Sequence, residues 1–358
     1  MIAWLRGPAA DPGRIYEEGL TARVAIEEAR DSVAAFLGCR SSREVVFTSG
    51  ATEAIAAAVW GAAERGAHQV MTAVEHSAVR LSAEVAGDVT LVGVDRLGRV
   101  DVDAVLDAIR PDTACVHVQW ANHEVGTMQP VRAVVAACRE RDVLVHVDAA
   151  QAAGHVAIDF DDLGADLLSV SGHKLGGPPG VGALLVRRGL RLRPLLVGGD
   201  QERARRAGAE NVPAIAGFGV ACSVIDVEAE AAAQVALTRR VLDTTFDGVV
   251  VYGDPVDRVP HLVCLGINGI EPQAVLLGLD RLGIAAHSGS ACSSEALEPS
   301  PVLEAMGVDA HRSLRVSVGW STTDDDIDAF LSALPRVIAD LRGLRSPTAR
   351  AGGDAGAS

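Results

Sequence analysis

Short runs rich in β-branched residues alternate with longer alanine-rich stretches through the first half of the chain. Strands are predicted at EVVFT (44–48), HQVMTA (68–73), VTLVGV (89–94), ACVHVQW (114–120), VLVHV (143–147), DLLSV (166–170) and VGALLV (181–186). Helical apolar spacing covers 52–64, 77–86, 101–109 and 131–140 between them. Because strands that alternate with helices form βαβ units, the sequence predicts an α/β fold with a mostly parallel sheet.

The pattern changes after the loop PLLVGGDQERARRAGAENVP. A long helical segment at about 213–243 follows, and then strands at GVVVYG, HLVCLGI and LRVSVG with helices between them. We predict a large domain over 14–210 and a smaller α+β domain over 211–345, because 358 residues exceed the ~250–300 that one core holds. Residues 346–358 are rich in Ala, Gly and Ser and are expected to be disordered.

Composition narrows the class of protein. Hydrophobic residues make up 49% of the chain but aromatic residues only 3%, which suits a helix-covered sheet filled by Ala, Val and Leu. The net charge of −15 opposes general binding to nucleic acid or to anionic membranes. No apolar run reaches the ~18 residues of a membrane span, and the N-terminus is too short and too soon interrupted for a signal peptide, so we expect a cytoplasmic protein. Six cysteines without a C-x-x-C pair indicate neither a zinc site nor a disulfide framework.

Ligands of a parallel sheet collect beyond the carboxyl ends of its strands, so the residues that follow each predicted strand are the candidates for chemistry. After EVVFT, the turn SGATEA opens a helix whose first amides, near Ala51 and Thr52, can bind an anion such as phosphate. An ordinary helix N-cap is the alternative there. After the next strand, His76 begins a helix, where its ring either faces a ligand or is a polar group exposed on the surface.

Two further strands end in ionisable residues. Asp148 and Gln151 follow VLVHV, and the Asp148 carboxylate either pairs with a cation or caps the following turn. Lys174 follows DLLSV within SGHK and is the only lysine in the chain. A lysine held in partly dry surroundings can lose its proton and attack a carbonyl, whereas arginine stays charged. A solvated surface lysine is the alternative, but a chain that uses arginine elsewhere has no evident reason to keep one lysine for solubility.

An anion cradle, a flat ring, a carboxylate and an amine together match one cofactor. Pyridoxal 5'-phosphate presents a phosphate, a planar ring, a basic ring nitrogen and an aldehyde that condenses with lysine. The sequence therefore predicts a pyridoxal-phosphate site.

The chain resembles the pyridoxal-phosphate-dependent cysteine desulfurases, which are class V aminotransferase-like enzymes. The segments that match occur in the family's order: VFTSGATEA, EHSAV, ANHEVGTMQPV, HVDAAQAAG, SGHKLGGPPGVGAL, GGDQERARRAGAENVPAI, SGSACSSEALEPSPVLEAMG and SLRVSVGWSTTDDDID. The resemblance implies the aspartate aminotransferase-like fold (fold type I). It also implies conversion of L-cysteine to L-alanine, with transfer of sulfur to an enzyme cysteine as a persulfide.

The resemblance also implies a role for each matching residue. Lys174 binds the cofactor's aldehyde and moves the substrate α-proton, His76 stacks on the ring, Asp148 pairs with the ring nitrogen, and Gln151 contacts the phenolic oxygen. The phosphate is held by Ala51, Thr52, Ser171 and His173. Asn122 and Arg315 bind substrate, with Arg315 on its carboxylate, and Cys292, in the small domain's Gly/Ser-rich loop, accepts the sulfur.

Three features depart from the family pattern. His123 stands where relatives have an asparagine that contacts the phenolic oxygen, and we expect it to bind the cofactor there, since a neutral imidazole can donate one hydrogen bond. Ala209 stands where relatives have a threonine that reaches the phosphate of the neighbouring subunit. The N-terminal residues also lack the usual Tyr-Leu-Asp and Ala-Thr-Thr pattern.

Partners follow from the same resemblance. It implies a homodimer that serves iron–sulfur cluster assembly or thio-cofactor synthesis, through an acceptor that is an iron–sulfur scaffold or a sulfur carrier. Two alternatives remain open at this stage. One is another pyridoxal-phosphate enzyme on the same scaffold, such as a selenocysteine or C–S lyase or an aminotransferase-like enzyme, and the other is a non-catalytic partner that keeps only the fold.

Overall fold

Two β-sheets organise the computed structural model, which describes residues 1–7, 10–288 and 299–344. The strands are β1 Val45–Thr48, β2 His68–Thr72, β3 Asp88–Val92, β4 Thr113–Gln119, β5 Leu144–Asp148, β6 Leu167–Ser171, β7 Gly182–Val186, β8 Val249–Tyr252, β9 Leu262–Ile267, β10 His287–Ser288 and β11 Ser313–Ser317. The helices are α1 Ile2–Arg6, α2 Glu17–Phe36, α3 Ala51–Ala62, α4 Ser77–Ala86, α5 Val102–Asp107, α6 Val131–Arg139, α7 Phe160–Leu163, α8 Gln201–Ala204, α9 Val212–Val224, α10 Val227–Leu242, α11 Pro272–Asp280, α12 Pro301–Ala305 and α13 Asp324–Leu344.

The larger sheet has the strand order β1-β7-β6-β5-β4-β2-β3. Its pairs from β3 to β6 are parallel, whereas β7 runs antiparallel to both β6 and β1. The predicted mostly parallel α/β sheet is therefore confirmed. The reversal of β7 means that the segment between β6 and β7, which carries Lys174, returns directly to the sheet without a crossover helix.

Alternation along the strands divides this sheet into two faces. On β5, Val145 and Val147 join the large core that also contains residues of α2, α6 and α9. Residues whose side chains point to the other face of the sheet, such as Leu184, pack with helix α3 in a smaller cluster. Because successive side chains of a strand point to opposite faces, His146 and Asp148 lie on the face away from the large core.

A row of polar side chains crosses four neighbouring strands inside the sheet. Ser169 Oγ lies 2.6 Å from His146 Nε2, the two histidine Nδ1 atoms of His146 and His117 are 3.1 Å apart, and His117 Nε2 lies 2.5 Å from Gln69 Oε1. All four residues are buried. With both imidazoles neutral, Ser169 Oγ can donate to His146 Nε2, His146 Nδ1 to His117 Nδ1, and His117 Nε2 to Gln69 Oε1. Each contact then has one donor and one acceptor.

The smaller sheet has the order β10-β11-β9-β8 and is antiparallel throughout. Helices α10, α11 and α13 contribute buried residues to its core. The helical segment predicted at 213–243 consists of two helices, because the chain turns by 78° between α9 and α10 and Asp226 caps α10 by accepting the Ala229 amide. Helix α9 packs against α2 in the core of the larger sheet. The predicted domain division at 210/211 stays a prediction.

Across the described ranges, no single helix combines the length and the apolar character that crossing a membrane requires. Helices α9 and α10 pass that test only when taken together as a bent pair.

Candidate active site

A cavity of about 500 Å³ opens at the carboxyl ends of β1, β2, β4, β5 and β6. Its wall contains most of the predicted site residues: Ala51, Thr52, His76, His123, Asp148, Gln151, Ser171, His173, Lys174 and Arg315. A second cavity, of about 810 Å³, meets it and shares Gln151, His173, Lys174 and Arg315. The candidate residues that the sequence scatters over 265 positions are thus brought together by the parallel sheet.

The N-terminus of α3 forms one end of the cavity. Ala51 and Thr52 begin this twelve-residue helix directly after β1, so their amides are among those without an intrahelical acceptor. Glu53 accepts the Ser49 amide at 2.8 Å and forms an ion pair with Arg206 at 2.8 Å. Because Arg206 compensates the Glu53 carboxylate, the helix N-terminus can still receive an anion.

Gly182 permits this end of the cavity to form. A Cβ atom added at Gly182 would lie 2.7 Å from the Cα atom of Gly50 and 2.6 Å from the Val170 carbonyl oxygen. The turn after β1 therefore approaches the start of β7 more closely than any residue with a side chain would allow.

Lys174 lies in a single 3-10 turn, Gly172–Leu175, between β6 and β7. Its Nζ atom donates a hydrogen bond to Gln151 Oε1 at 3.3 Å. The side chain is open to the cavities, but the surrounding protein withdraws the amine from water and thereby lowers its pKa below the ordinary value. Arg315 lowers the pKa further by repulsion, whereas Asp148 acts in the opposite direction.

Asp148 occupies the last position of β5 and is buried. Its Oδ1 atom accepts the Ala150 amide at 3.0 Å. Burial raises the pKa of this carboxyl above its ordinary value, and the Ala150 amide, His123 and Lys174 only partly offset that effect. A buried carboxylate of this kind gains most from a cationic or N–H partner in the cavity.

His76 and His123 meet edge to face, with ring centroids 5.1 Å apart and planes at 71°. His76 Nδ1 accepts the Ala78 amide at 3.1 Å, which caps α4 and fixes the ring. Burial, with repulsion from His123 and Lys174, lowers the pKa of His76 to about 4, so this imidazole is neutral at pH 7. His123 Nδ1 is buried without a hydrogen-bond partner in the part of the chain that the structure describes.

Arg315 reaches the cavity from β11 of the smaller sheet, so both sheets build the site. Its Nη1 atom donates to the His123 carbonyl oxygen at 3.0 Å. Its Nε atom is buried and has no partner among residues 1–7, 10–288 and 299–344. Burial lowers the pKa of Arg315 below its ordinary value in spite of nearby Glu124, but the guanidinium remains charged.

The remaining predicted residues divide into three cases. Ser171 Oγ and His173 Nδ1 are 2.9 Å apart at the cavity wall, beside the start of α3.

The Asn122 side chain does not line the cavity, because its oxygen accepts the amides of Glu124 and Val125 and its nitrogen donates to the Val74 carbonyl. Its predicted contact with substrate stays a prediction. Cys292 and residues 346–358 lie outside the described residues.

The donor set fits pyridoxal 5'-phosphate. A helix N-terminus with Thr52, Ser171 and His173 offers donors for a phosphate, Asp148 offers a carboxylate for a ring nitrogen, and Lys174 offers the amine for an aldehyde. The unpartnered Nδ1 of His123 and Nε of Arg315 are polar atoms that a bound cofactor and substrate would satisfy.

The chain matches the class-V aminotransferase family over residues 9–330. It belongs to this family. Among curated relatives, the cysteine desulfurase IscS of Methanosarcina thermophila is 40% identical, and the match covers 96% of this chain and 89% of that protein. The predicted family, desulfurase activity and pyridoxal-phosphate cofactor are confirmed, since the matching relatives are cysteine desulfurases of this cofactor-dependent family.

Solved structures agree on the fold. A NifS-like protein superposes with a TM-score of 0.89 at 30% identity, over 95% of this chain and 94% of that one. The structure of SspA in complex with cysteine superposes with a TM-score of 0.79 at 31% identity, over 88% and 92% of the two chains. The predicted fold type is therefore confirmed.

Two histidines near Lys174 were not predicted from the sequence. His261 precedes β9 in the smaller sheet and contacts Gln151, while His155 stacks on His261 with ring centroids 3.5 Å apart. Both line the larger cavity. A histidine at the start of an apolar strand was the only signal for His261, and nothing in the sequence connects that strand with the segment around Gln151.

Proposed function

We propose that this pyridoxal-phosphate-dependent cysteine desulfurase performs its chemistry in the 500 Å³ cavity, with Lys174 as the cofactor-binding and proton-transferring residue. The observation that carries the proposal is that the only lysine of the sequence shares this cavity with the buried carboxylate of Asp148 and the N-terminus of α3. A surface lysine kept for solubility has no such surroundings.

The residues of the cavity would hold the cofactor by four kinds of contact. Amides at the start of α3, with Thr52, Ser171 and His173, would bind the phosphate, and the neutral ring of His76 would cover the planar ring. Asp148 would hold a proton on the ring nitrogen, since a buried carboxyl with a raised pKa is stabilised by an N–H donor. Gln151 and His123 would donate to the phenolic oxygen.

When bound, pyridoxal phosphate supplies an electron-withdrawing ring that makes the substrate α-carbon acidic. Lys174 Nζ, whose pKa is lowered by the cavity, would remove the α-proton and return a proton during the formation of alanine. Arg315 would bind the substrate carboxylate through its guanidinium, for which the unpartnered Nε is available. These contacts orient L-cysteine between the two sheets.

The net reaction breaks the C–S bond of L-cysteine, places a hydrogen on the β-carbon to give L-alanine, and leaves the sulfur on an enzyme thiol as a persulfide. We propose Cys292 as that thiol, from its polar Gly/Ser-rich sequence setting and the resemblance to the family. The five other cysteines are poor candidates, because Cys115, Cys138, Cys222 and Cys264 are buried and burial raises the pKa of the Cys39 thiol to about 12.

One experiment tests activity and residue roles together. The purified protein, loaded with pyridoxal phosphate, is incubated with L-cysteine and a reducing thiol while alanine and sulfide are measured. We expect equal amounts of both products from the wild type, and a rate reduced by at least ~10²-fold in Lys174→Ala, as is typical for loss of a proton-transferring group. Lys174→Ala should also lose the visible absorbance of the bound cofactor.

The role of Cys292 is tested in the same assay. Cys292→Ser should abolish alanine formation, whereas the matched variant Cys39→Ser should retain it. If alanine or another product forms equally well without Cys292, the chain acts as a simple C–S lyase and the persulfide step is wrong. If neither product forms with the wild type although the cofactor is bound, the alternative of a non-catalytic partner gains support.

The assembly and its partners are part of the proposal. We propose a cytoplasmic homodimer that delivers sulfur to an iron–sulfur scaffold or a sulfur-carrier protein and binds neither nucleic acid nor membranes, which the net charge of −15 supports. Ala209 is exposed in the single chain, at the position where relatives carry the threonine that reaches the neighbouring subunit. Light scattering of the purified protein measures the oligomeric state directly.

A further inference from the structure

We propose that His261 is a positioning residue that fixes the orientation of the Gln151 side-chain amide, and that His155 holds His261 in place. The proposal extends the function assigned to Lys174 above, because Gln151 is the residue that contacts its amine. Gln151 Oε1 lies 3.3 Å from Lys174 Nζ, and Gln151 Nε2 lies 2.7 Å from His261 Nε2. The amide of Gln151 therefore bridges the reactive amine and a histidine of the smaller sheet.

Hydrogen-bond donation fixes the direction of this bridge. In its protonated form the Lys174 amine only donates, so it then faces the oxygen of the Gln151 amide. The nitrogen of that amide then faces His261 and donates to its Nε2, which leaves the proton of the neutral imidazole on Nδ1. His261 is buried, and burial with repulsion from His155, Lys174 and Arg315 keeps its pKa well below the ordinary value, consistent with this neutral form.

Stacking, rather than a second hydrogen bond, holds the His261 ring. Its Nδ1 atom has no hydrogen-bond partner in the described part of the chain. The ring of His155 lies over it with centroids 3.5 Å apart and planes 21° from parallel. His155 Nδ1 in turn lies 3.0 Å from Gln234 Oε1 of helix α10, and Gln234 Nε2 donates to Glu230 at 3.2 Å.

These contacts form an orientation chain from α10 to Lys174. The Glu230 carboxylate only accepts, so it fixes the Gln234 amide, whose oxygen then requires a proton on His155 Nδ1. His261, stacked on His155, presents its Nε2 atom as an acceptor to the Gln151 amide nitrogen. The oxygen of the same amide is thereby kept facing Lys174 Nζ. The second N–H of that amide would then be available to a bound cofactor's phenolic oxygen, whereas a rotated amide would offer an acceptor in its place.

The single lysine makes the inference testable without the cofactor. In the apoprotein, the pH dependence of labelling by a small acylating reagent, followed on the peptide that contains Lys174, reports the only ε-amine of the chain. Within residues 1–7, 10–288 and 299–344, the charged or titratable side chains that interact with this amine are Asp148, Arg315, His76, His155, His173 and His261. His261→Phe keeps a flat ring for stacking but offers no acceptor, whereas His261→Gln offers one at similar reach.

We expect His261→Phe to shift the labelling midpoint of Lys174 to lower pH by about one unit, the effect of losing one hydrogen bond to a charged group. It should also weaken binding of pyridoxal phosphate by roughly tenfold. His261→Gln should return both values towards the wild type. The control His68→Phe removes a buried histidine that bonds Thr113 and Thr90 in the sheet, and it should leave the Lys174 midpoint unchanged.

An unchanged midpoint in His261→Phe, or an equal shift in His68→Phe, overturns the proposal. If His261→Phe does not fold, the nitrogen chemical shifts of the histidines in the wild-type protein decide the matter, since a proton on His261 Nε2 contradicts the inferred tautomer. The labelling experiment uses no turnover, so a failed desulfurase assay and a failed orientation role are distinguishable.

Discussion

Two pairs of contacting histidines in this protein differ in what surrounds them: His117, His146 and His261 are buried, whereas His155 is half-buried. His117 and His146 lie inside the large sheet in a row that ends at Ser169 and Gln69. His155 and His261 lie at the wall of the larger cavity beside Gln151. Burial lowers the pKa of His117 to about 3, and those of His146 and His261 well below the ordinary value, so both pairs contain neutral imidazoles.

The difference between the pairs lies in which groups depend on them. In the sheet, each ring nitrogen of His117 and His146 has a partner, and neither histidine lines a described cavity around Lys174. At the cavity, His261 leaves one nitrogen without a partner within the described chain and directs its other nitrogen to a residue that contacts Lys174. The same side chain therefore stabilises the fold in one place and orients a reactive group in the other.

The largest expected effect on stability is that of His146→Leu. This change leaves His117 Nδ1 and Ser169 Oγ without their partners inside the sheet, so we expect the free energy of unfolding to fall by about 2–4 kcal/mol. Urea denaturation measures it. His261→Leu, compared under the same conditions, should lose less, because the Gln151 amide that it releases borders a cavity open to water. An equal or greater loss in His261→Leu would break the comparison.

The second prediction concerns pH. Well above pH 6.5, His117 is neutral in both the folded and the unfolded chain, so it contributes no pH dependence there. Between pH 6.5 and about 3, the unfolded chain binds a proton that the folded chain does not, and stability falls as the pH is lowered. His117→Gln should reduce the slope of unfolding free energy against pH by up to about 1.4 kcal/mol per unit. Identical slopes for the two proteins between pH 6.5 and 4.5 would show that His117 is not neutral in the fold.

The smallest effect is expected for His155→Phe. A phenyl ring keeps the stacking on His261 but loses the contact with Gln234 Oε1 and the hydrogen bond to the Lys174 backbone, which together should cost about 1 kcal/mol of unfolding free energy. Thermal or urea unfolding measures this change, with His155→Ala as the matched variant that also removes the stacking. Equal losses in the two variants would mean that stacking contributes nothing to holding His261.

Much of the fold could be predicted because its signals are local. The seven strands of the large sheet lie within two residues of their predicted bounds, and α4 matches its prediction. Asp148 and Lys174 were also found from the sequence, since they lie just after the predicted strands 143–147 and 166–170, whose carboxyl ends meet. The turn at Asp226 was missed because the apolar spacing continues on both sides of it, and only the capping contact marks the new helix.

The other misses have a long-range cause. His261 contacts Gln151 across 110 positions of sequence, from the residue before β9 of the other sheet. The antiparallel pairing of the two-residue strand β10 with β11 depends on contacts that no short window contains. The roles of Arg315 in binding substrate and of Cys292 in accepting sulfur rest on the resemblance to the family and stay predictions.

The antiparallel direction of β7 restricts the movement of the turn that carries Lys174. Both strands that flank its turn are hydrogen-bonded on two sides, β6 to β5 and β7, and β7 to β6 and β1. Opening the turn far enough to displace the amine would require interior strands to separate, which costs nearly as much as global unfolding. Amide hydrogens of β6 and β7 should then exchange with solvent among the slowest in the molecule, and the reactive nitrogen should keep its place while loops around the cavity rearrange.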